Sequence, residues 1–138
     1  NKKKSTNVAA LDLTKKTWRG LSEESLYMQL HHHSTAFDIE NERYYIFGGL
    51  GGFGGFGNLH YSRNLFSYDL AQNRWDSLRL QGDNINPRYF SSLGYDENRN
   101  CLYVFGGMGN ESGEQIVGRK YMYDLYKIDL GSNNVTKL

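Results

Sequence analysis

The feature that most constrains the fold of this chain is an internal repeat with a period of nearly sixty residues. The segment YYIFGG at 44–49 recurs as LYVFGG at 102–107, fifty-eight positions later. The residues just before the two copies also match: they are FDIENER and YDENRNC, and Asp38 and Asp96 occupy equivalent positions in them. Repeats of this length are typical of arrays that stack one small structural unit several times. The chain is therefore expected to be built from copies of a single unit.

A second landmark appears three times, as an aspartate followed six positions later by a large apolar residue. The three pairs are Asp12 with Trp18, Asp69 with Trp75, and Asp129 with Val135. A leucine closes each copy a few residues further on. The landmarks keep matching offsets, so the repeat extends over nearly the whole chain.

Each full repeat is predicted to form four short strands, A to D, separated by short polar turns. In the first full copy we place A at 33–37, B at 44–47, C at 65–68 and the start of D at 75. In the second copy the same strands fall at 91–95, 102–105, 125–128 and 135–138. Short polar turns join strands as hairpins, so the fold class is all-β and each unit is a four-stranded antiparallel meander.

Together these marks resemble the kelch repeat, in which a double glycine closes strand B, a tyrosine–aspartate pair closes strand C, and a tryptophan follows six residues on. The residues that carry the resemblance are Gly48, Gly49, Gly106, Gly107, Asp69, Asp129, Trp18 and Trp75. The resemblance implies a kelch-type β-propeller, whose blades surround a channel with strand A innermost. It also implies that the glycines let neighbouring backbones approach and that tryptophan packs between blades. Such burial removes roughly 200 Å² from water, worth at most on the order of 5 kcal/mol.

Two departures from the pattern affect the predicted organisation. Val135 replaces the tryptophan in the last copy, which predicts weaker outer packing there, and the first copy lacks a double glycine. We predict one partial propeller, with a half blade at 5–21 and blades at 29–78 and 87–138. Propellers have about four to eight blades, so the predicted ring is incomplete. The expected partners are the remaining blades of a longer propeller or copies of this chain.

The connections from strand B to strand C are predicted to be long loops at 50–64 and 108–124, on one face of the disc. Long loops on a compact scaffold are where binding residues concentrate. Aromatic and arginine side chains there suit protein or glycan ligands. The candidates for ligand contact are His60, Tyr61, Arg63, Arg119 and Tyr121. Phe53 and Phe56 either join them or cap the end of their blade.

The triplet at 31–33 suggests a metal site, because strand alternation would direct His31 and His33 to one side. The matching residues at 89–91 are Tyr, Phe and Ser, which offer no comparable ligands. Kelch repeats often carry a histidine just before the small residue that begins strand A, as His33 stands before Ser34. We therefore favour structural or channel-lining histidines, keep both as candidates for ligand contact, and predict no metal and no cofactor.

Arg88 follows Pro87 and resembles the proline–arginine pair that leads into a kelch blade. Its side chain is expected either to point into the channel mouth, where it would contact a ligand, or to be paired within the fold.

The glycine-rich run after strand B contains Gly52, Gly54 and Gly57, which satisfy the dinucleotide fingerprint G-x-G-x-x-G. That fingerprint binds a pyrophosphate only where the glycines lead from a strand into a helix. Here the following residues are predicted to form another strand. Nucleotide binding is therefore not predicted.

The charge balance and the cysteine content narrow the remaining classes of function and location. The 16 basic and 15 acidic residues nearly balance, so no field favours nucleic acid, and no apolar run is long enough for membrane insertion. The single cysteine, Cys101, excludes an internal disulfide and leaves the compartment open. Asn110 and Asn134 match the glycosylation acceptor pattern, which is short and frequent by chance. The compartment is left unassigned, with an extracytoplasmic location slightly favoured.

Our interpretation is a non-catalytic recognition module that binds a protein or a carbohydrate through its long loops. The alternatives are part of a galactose-oxidase-like or sialic-acid-processing enzyme of the same fold, or a sensory ectodomain. Those oxidases need copper-binding histidines and a tyrosine crosslinked to cysteine. Cys101 and Tyr103 share one side of strand B, but their surroundings indicate core. No nucleophile with a neighbouring base can be placed, so no catalytic residue is predicted in this segment.

Overall fold

The structure is a computed structural model that describes residues 8–21, 29–52 and 59–138. Its regular elements there are seventeen short strands and one 3-10 helix at Gln115–Val117. The strands are β1 Ala9–Asp12, β2 Thr17–Gly20, β3 Gln29–His31, β4 Ser34–Asp38, β5 Arg43–Phe47, β6 Leu50–Gly52, β7 His60–Tyr61, β8 Leu65–Asp69, β9 Arg74–Leu78, β10 Gln81–Gly82, β11 Arg88–Tyr89, β12 Ser92–Asp96, β13 Cys101–Phe105, β14 Met108–Gly109, β15 Lys120–Tyr121, β16 Leu125–Asp129 and β17 Asn134–Lys137.

Two of the sheets are the predicted meanders. The middle blade has the antiparallel strand order β4-β5-β8-β9, and the last blade has β12-β13-β16-β17. Every predicted strand A to D is found within two residues of its expected bounds. Strands β1 and β2 pair as a separate two-stranded sheet. The all-β prediction and the four-stranded unit are therefore confirmed.

The aspartate landmark has one structural cause in all three copies. The residue before each aspartate lies opposite the large residue of the next strand, in the cross-strand pairs Leu11 with Trp18, Tyr68 with Trp75, and Ile128 with Val135. Each aspartate then begins a turn, where its side-chain oxygen accepts hydrogen bonds from backbone N–H groups. The spacing of six thus reflects one hairpin register that is used three times.

The same turn also closes the A-to-B hairpins, so it occurs five times. Asp38 accepts a bond from the backbone of Asn41, and Asp96 accepts one from Arg99. Four positions after each aspartate a residue other than glycine has a positive φ of 46° to 57°; these residues are Lys16, Glu42, Asn73, Asn100 and Asn133. Asparagine tolerates this conformation best, which explains why three of the five are asparagine.

The two double glycines have matching backbones. Their φ angles are 67° and 104° at Gly48 and Gly49, and 65° and 101° at Gly106 and Gly107. A Cβ added to Gly48 would lie 2.6 Å from the Arg88 carbonyl oxygen of the following blade. One added to Gly49 would lie 3.0 Å from the carbonyl oxygen of His31 in its own blade. The predicted close approach is confirmed, and the first glycine serves the contact between blades.

The main core lies between the middle and last blades. Tyr45 and Phe47 from β5 pack with Leu102, Val104 and further side chains of the last blade. On the opposite face of the middle blade, Trp75 packs against Ile46 and Phe66. The centroids of the Trp75 and Tyr68 rings are 4.9 Å apart.

The other two copies of the tryptophan position differ from the middle one. Val135 is buried in the main core. Trp18 is 71% exposed, so the prediction that it packs between blades is wrong for the described structure. Among the described residues its strand β2 pairs only with β1, and no other described element covers the indole.

The B-to-C connections are more regular than predicted. Strands β6 and β7 pair within 50–64, and β14 and β15 pair within 108–124. With β3 and β11, which lead into the inner strands, they form two three-stranded sheets, β3-β6-β7 and β11-β14-β15, here called the rim sheets. The expectation of irregular loops is wrong for these pairs because the chain remains extended past the double glycine. Residues 53–58, with Phe53 and Phe56, lie outside the described residues.

Candidate functional site

The rim sheets place aromatic side chains where the innermost strands begin. Strand β3 leads into β4, and β11 leads into β12. These two inner strands contact each other across the blade boundary, where the Ser34 and Ser91 hydroxyl oxygens are 2.7 Å apart. Side chains just before β4 and β12 therefore lie at the mouth of the predicted channel.

Five rings form a connected cluster at this place. The rings belong to His31, His32, Tyr61, Tyr89 and Phe90, which we call the mouth cluster. Tyr61 and Tyr89 are stacked with centroids 5.3 Å apart and an angle of 13° between planes, and both are buried. The centroids of the His32 and Phe90 rings are 4.3 Å apart. The cluster joins residues of both blades.

His32 and Phe90 occupy equivalent positions and share an unusual backbone. Each has a φ of 55°, and the Phe90 N–H donates a 3.0 Å hydrogen bond to the His32 carbonyl oxygen. Both side chains are exposed. Our sequence interpretation missed both residues. The fifty-eight-residue offset already aligned the two positions in the sequence, but their residue types alone gave no reason to select them.

The left-handed residue also changes the histidine prediction. Because His32 breaks the extended chain between β3 and β4, strand alternation does not relate His31 to His33. His31 is exposed, while His33 is half-buried. Burial lowers the pKa of His33, helped by the neighbouring imidazoles and opposed by a backbone hydrogen bond at Leu30. This shift favours the neutral imidazole of His33, and its structural role stays a prediction.

The other loop candidates are spread over the rim. Tyr61 joins the mouth cluster, whereas His60 is exposed and forms an isolated bridge with Glu114. Arg63 is exposed and donates to Asn84 Oδ1. Tyr121 lies in β15 of the last blade and Arg119 lies just before this strand, and both residues are exposed. Of the eight candidates, the structure thus brings His31 and Tyr61 into one cluster.

Arg88 is fully buried, which corrects the prediction that it contacts a ligand. Its guanidinium donates to both carboxylate oxygens of Asp124, at 2.6 and 3.3 Å, and to the carbonyl oxygens of Gly106 and Asn86. It also lies 5.4 Å from the centre of the Tyr126 ring. Burial opposes ionisation of Asp124, but the bonds from Arg88 lower the pKa of this carboxyl below its usual value. Internal pairing, the alternative reading of Arg88, is what the structure shows.

The remaining irregular part of the last blade folds back onto the middle blade. Asn110 is buried and organises it: its Nδ2 donates to the carbonyl oxygens of Glu114 and Gly118, and its Oδ1 accepts from the Gly113 N–H. The Tyr61 N–H then donates to the Gly113 carbonyl oxygen at 2.7 Å. The amide of this glycosylation pattern is therefore engaged inside the fold.

A groove of about 500 Å³ lies at the outer junction of the blades. Its lining includes Arg63, Arg79, Asp83 and Asn84. Within the described ranges, no group of three or more His, Cys, Asp or Glu side chains is arranged to hold a metal ion. No helix in those same ranges is long and apolar enough to span a membrane.

Comparison with known proteins supports the fold. No family model matches the chain, and no curated protein matches it. A solved structure, described as the structure of YjhT, is similar with a TM-score of 0.63 and 17% sequence identity. The match covers 89% of this chain and 40% of that one, so the chain spans less than half the length of YjhT. With its antiparallel blades and this likeness, the chain has a β-propeller-type fold.

Proposed function

We propose that this chain is a kelch-type propeller segment that acts as a recognition module and binds a protein or a carbohydrate through its rim. The observation that carries the proposal is the mouth cluster, which is built from two blades and exposes the rings of His32 and Phe90. Exposed aromatic rings on a rigid support are typical of recognition surfaces.

The carboxylates of the fold support a role without chemistry. Asp38, Asp69, Asp96 and Asp129 are engaged in turns, and Asp124 is paired with Arg88. Engaged carboxylates of this kind are poor general acids or bases, because a catalytic pair needs one free group within reach of the substrate. These five carboxylates therefore serve the fold and are poor candidates for catalysis.

The far face of the last blade supports a second part of the proposal, which concerns partners. Tyr103, Phe105 and Leu125 match Tyr45, Phe47 and Leu65, which the last blade buries. The Gly49 N–H donates to the Arg88 carbonyl oxygen, and the Arg88 N–H donates to the Ser62 carbonyl oxygen, both at 2.8 Å. Gly107 and Met122 stand at the matching places of the last blade, and we infer that a further blade or a second copy of the chain docks there.

The recognition role is tested by screening the 138-residue chain against a glycan array and a displayed peptide library. We expect a ligand that binds the wild type and is lost from the double variant His32→Gly, Phe90→Gly. A matched control is Tyr123→Ala, because Tyr123 is an exposed aromatic residue outside the mouth cluster. Binding that survives in the double variant, or no ligand in either library, would contradict the proposal.

A further inference from the structure

Phe90 combines three properties that packing alone does not explain. It is a bulky side chain at a φ of 55°, it is 55% exposed, and it lies against a second ring with the same backbone. A left-handed backbone costs a non-glycine residue about 1 to 2 kcal/mol, and glycine would remove that cost. The Phe90 ring packs against the His32 and Tyr89 rings, yet more than half of the side chain remains open to solvent. Strain of this kind is typical of ligand-contacting positions.

A buried layer holds the two exposed rings in place. The Tyr89 ring lies 5.0 Å from Phe90 and 6.3 Å from His32, and it stacks in turn on Tyr61 of the other blade. The two rings are tilted by 39° and come from successive blades. The surface they form is therefore shaped by the junction of the blades and does not depend on one flexible side chain.

The chemistry of the cluster restricts the ligand. Its five members contain no carboxylate, ammonium or guanidinium group, so it offers no charge of either sign apart from a protonated histidine. Phenylalanine presents an apolar face, and neutral imidazoles can both donate and accept hydrogen bonds at their edges. A ligand with a flat C–H face bordered by hydroxyl groups satisfies both demands. A pyranose ring without charge has this form.

We propose that His32 and Phe90 form a stacking platform for one neutral pyranose ring of a glycan. The proposal rests on the recognition role given above and names its ligand. The C–H face of the sugar lies on Phe90, and its hydroxyl groups bond to the imidazole of His32. Because the platform spans two blades, it exists only when they are packed as described.

The test is saturation-transfer NMR on the 138-residue chain with methyl β-D-glucopyranoside as the probe. We expect transfer to the ring C–H protons, and at least about tenfold weaker binding in Phe90→Gly, equal to about 1.4 kcal/mol. Phe90→Gly relieves the strained backbone but removes the ring contacts with His32 and Tyr89, so its thermal unfolding midpoint should change little. Phe90→Tyr should retain binding, and Tyr123→Ala should bind like the wild type.

Three results would overturn the inference. The first is a fall in the unfolding midpoint of Phe90→Gly that matches its loss of binding, because Phe90 would then be structural. The second is stronger binding of methyl β-D-glucuronide, the charged analogue, than of the neutral glycoside. The third is transfer to N-acetylphenylalaninamide in place of either sugar. That third result would replace the glycan by a protein side chain and leave the recognition role intact, whereas loss of all ligands in the library screens would remove both.

Discussion

The middle and last blades have nearly the same backbone but different neighbours. Gly48 and Gly106 differ by 2° in φ, yet a Cβ added to Gly48 would lie 2.6 Å from the Arg88 carbonyl oxygen of the next blade, whereas one added to Gly106 would meet only the Met122 carbonyl oxygen of its own blade, at 3.4 Å. Phe47 is fully buried, and its counterpart Phe105 is 51% exposed. The conformation of a blade is thus set by its own residues, whereas the burial of its side chains is set by the blade beside it. Exchanging residues between equivalent positions separates the two influences.

The largest effect is expected at Arg88, whose counterpart in the middle blade is Leu30. Arg88→Leu leaves Asp124 partly buried without its partner, so it should lower the free energy of unfolding by about 3 to 5 kcal/mol. Urea denaturation measures this change. The double variant Arg88→Leu, Asp124→Asn copies the middle blade, where Asn64 matches Asp124, and should recover most of the loss. A double variant as unstable as the single one would show that the two blades are not interchangeable here.

A smaller effect is expected at the first glycine of each doublet. Gly48→Ala adds a Cβ 2.6 Å from a backbone oxygen at a positive φ, and we expect a loss of about 3 kcal/mol. Gly106→Ala has nearly the same φ, but its Cβ would lie 3.4 Å from the Met122 carbonyl oxygen, an ordinary contact, so it should lose only about 1 kcal/mol. Thermal or urea unfolding compares the two. In an assembly where another blade covers Gly106 the difference should vanish, and equal losses in the isolated chain would contradict the inter-blade role of Gly48.

The next effect depends on pH and concerns Tyr95, whose counterpart is the exposed Phe37. Burial, followed by the hydrogen bond and the charge of Asp38, raises the pKa of Tyr95 from 10.0 to about 12. A raised pKa gives stability that is complete below pH 10.0 and is lost as the pH rises towards about 12. Tyr95→Phe should therefore reduce the alkaline loss of stability in that window. Unfolding midpoints across the window, with tyrosinate absorbance, measure it, and an unchanged alkaline profile would contradict the assignment.

The smallest effect is expected in the A-to-B turns, where Glu42 matches Asn100. Both residues have a positive φ, of 49° and 46°, and asparagine tolerates this conformation better. Glu42→Asn should raise the free energy of unfolding by about 0.5 kcal/mol, and Asn100→Glu should lower it similarly. Denaturant midpoints of the two variants provide the measurement. Shifts of the same sign in both would indicate that side-chain contacts, and not the backbone, decide these positions.

Sequence reasoning predicted what is determined locally. The strands and hairpins follow from turn residues such as Asp69 and from alternating apolar positions within a few residues. The rim sheets, the strand β10 and the identity of the Arg88 partner were not predicted, because strands of two or three residues and a single ion pair leave no periodic pattern in the sequence. The mouth cluster was found only in part, since His31 and Tyr61 were candidates while His32, Tyr89 and Phe90 were not. No single-residue signal marks a left-handed phenylalanine.

The short strand β10 has a consequence for how such chains associate. It runs parallel to β17, and the segment that connects the blades forms hydrogen bonds with backbone groups of alternate residues along that strand. The Asn133 and Val135 carbonyl oxygens accept from the Gln81 and Asp83 N–H groups, and the Lys137 N–H donates to the Asp83 carboxylate. An unprotected edge strand invites pairing with foreign chains and aggregation. Here the linker between blades covers the outer edge of β17. Another blade or chain can therefore pack on the face of the last blade but cannot add a strand at this edge.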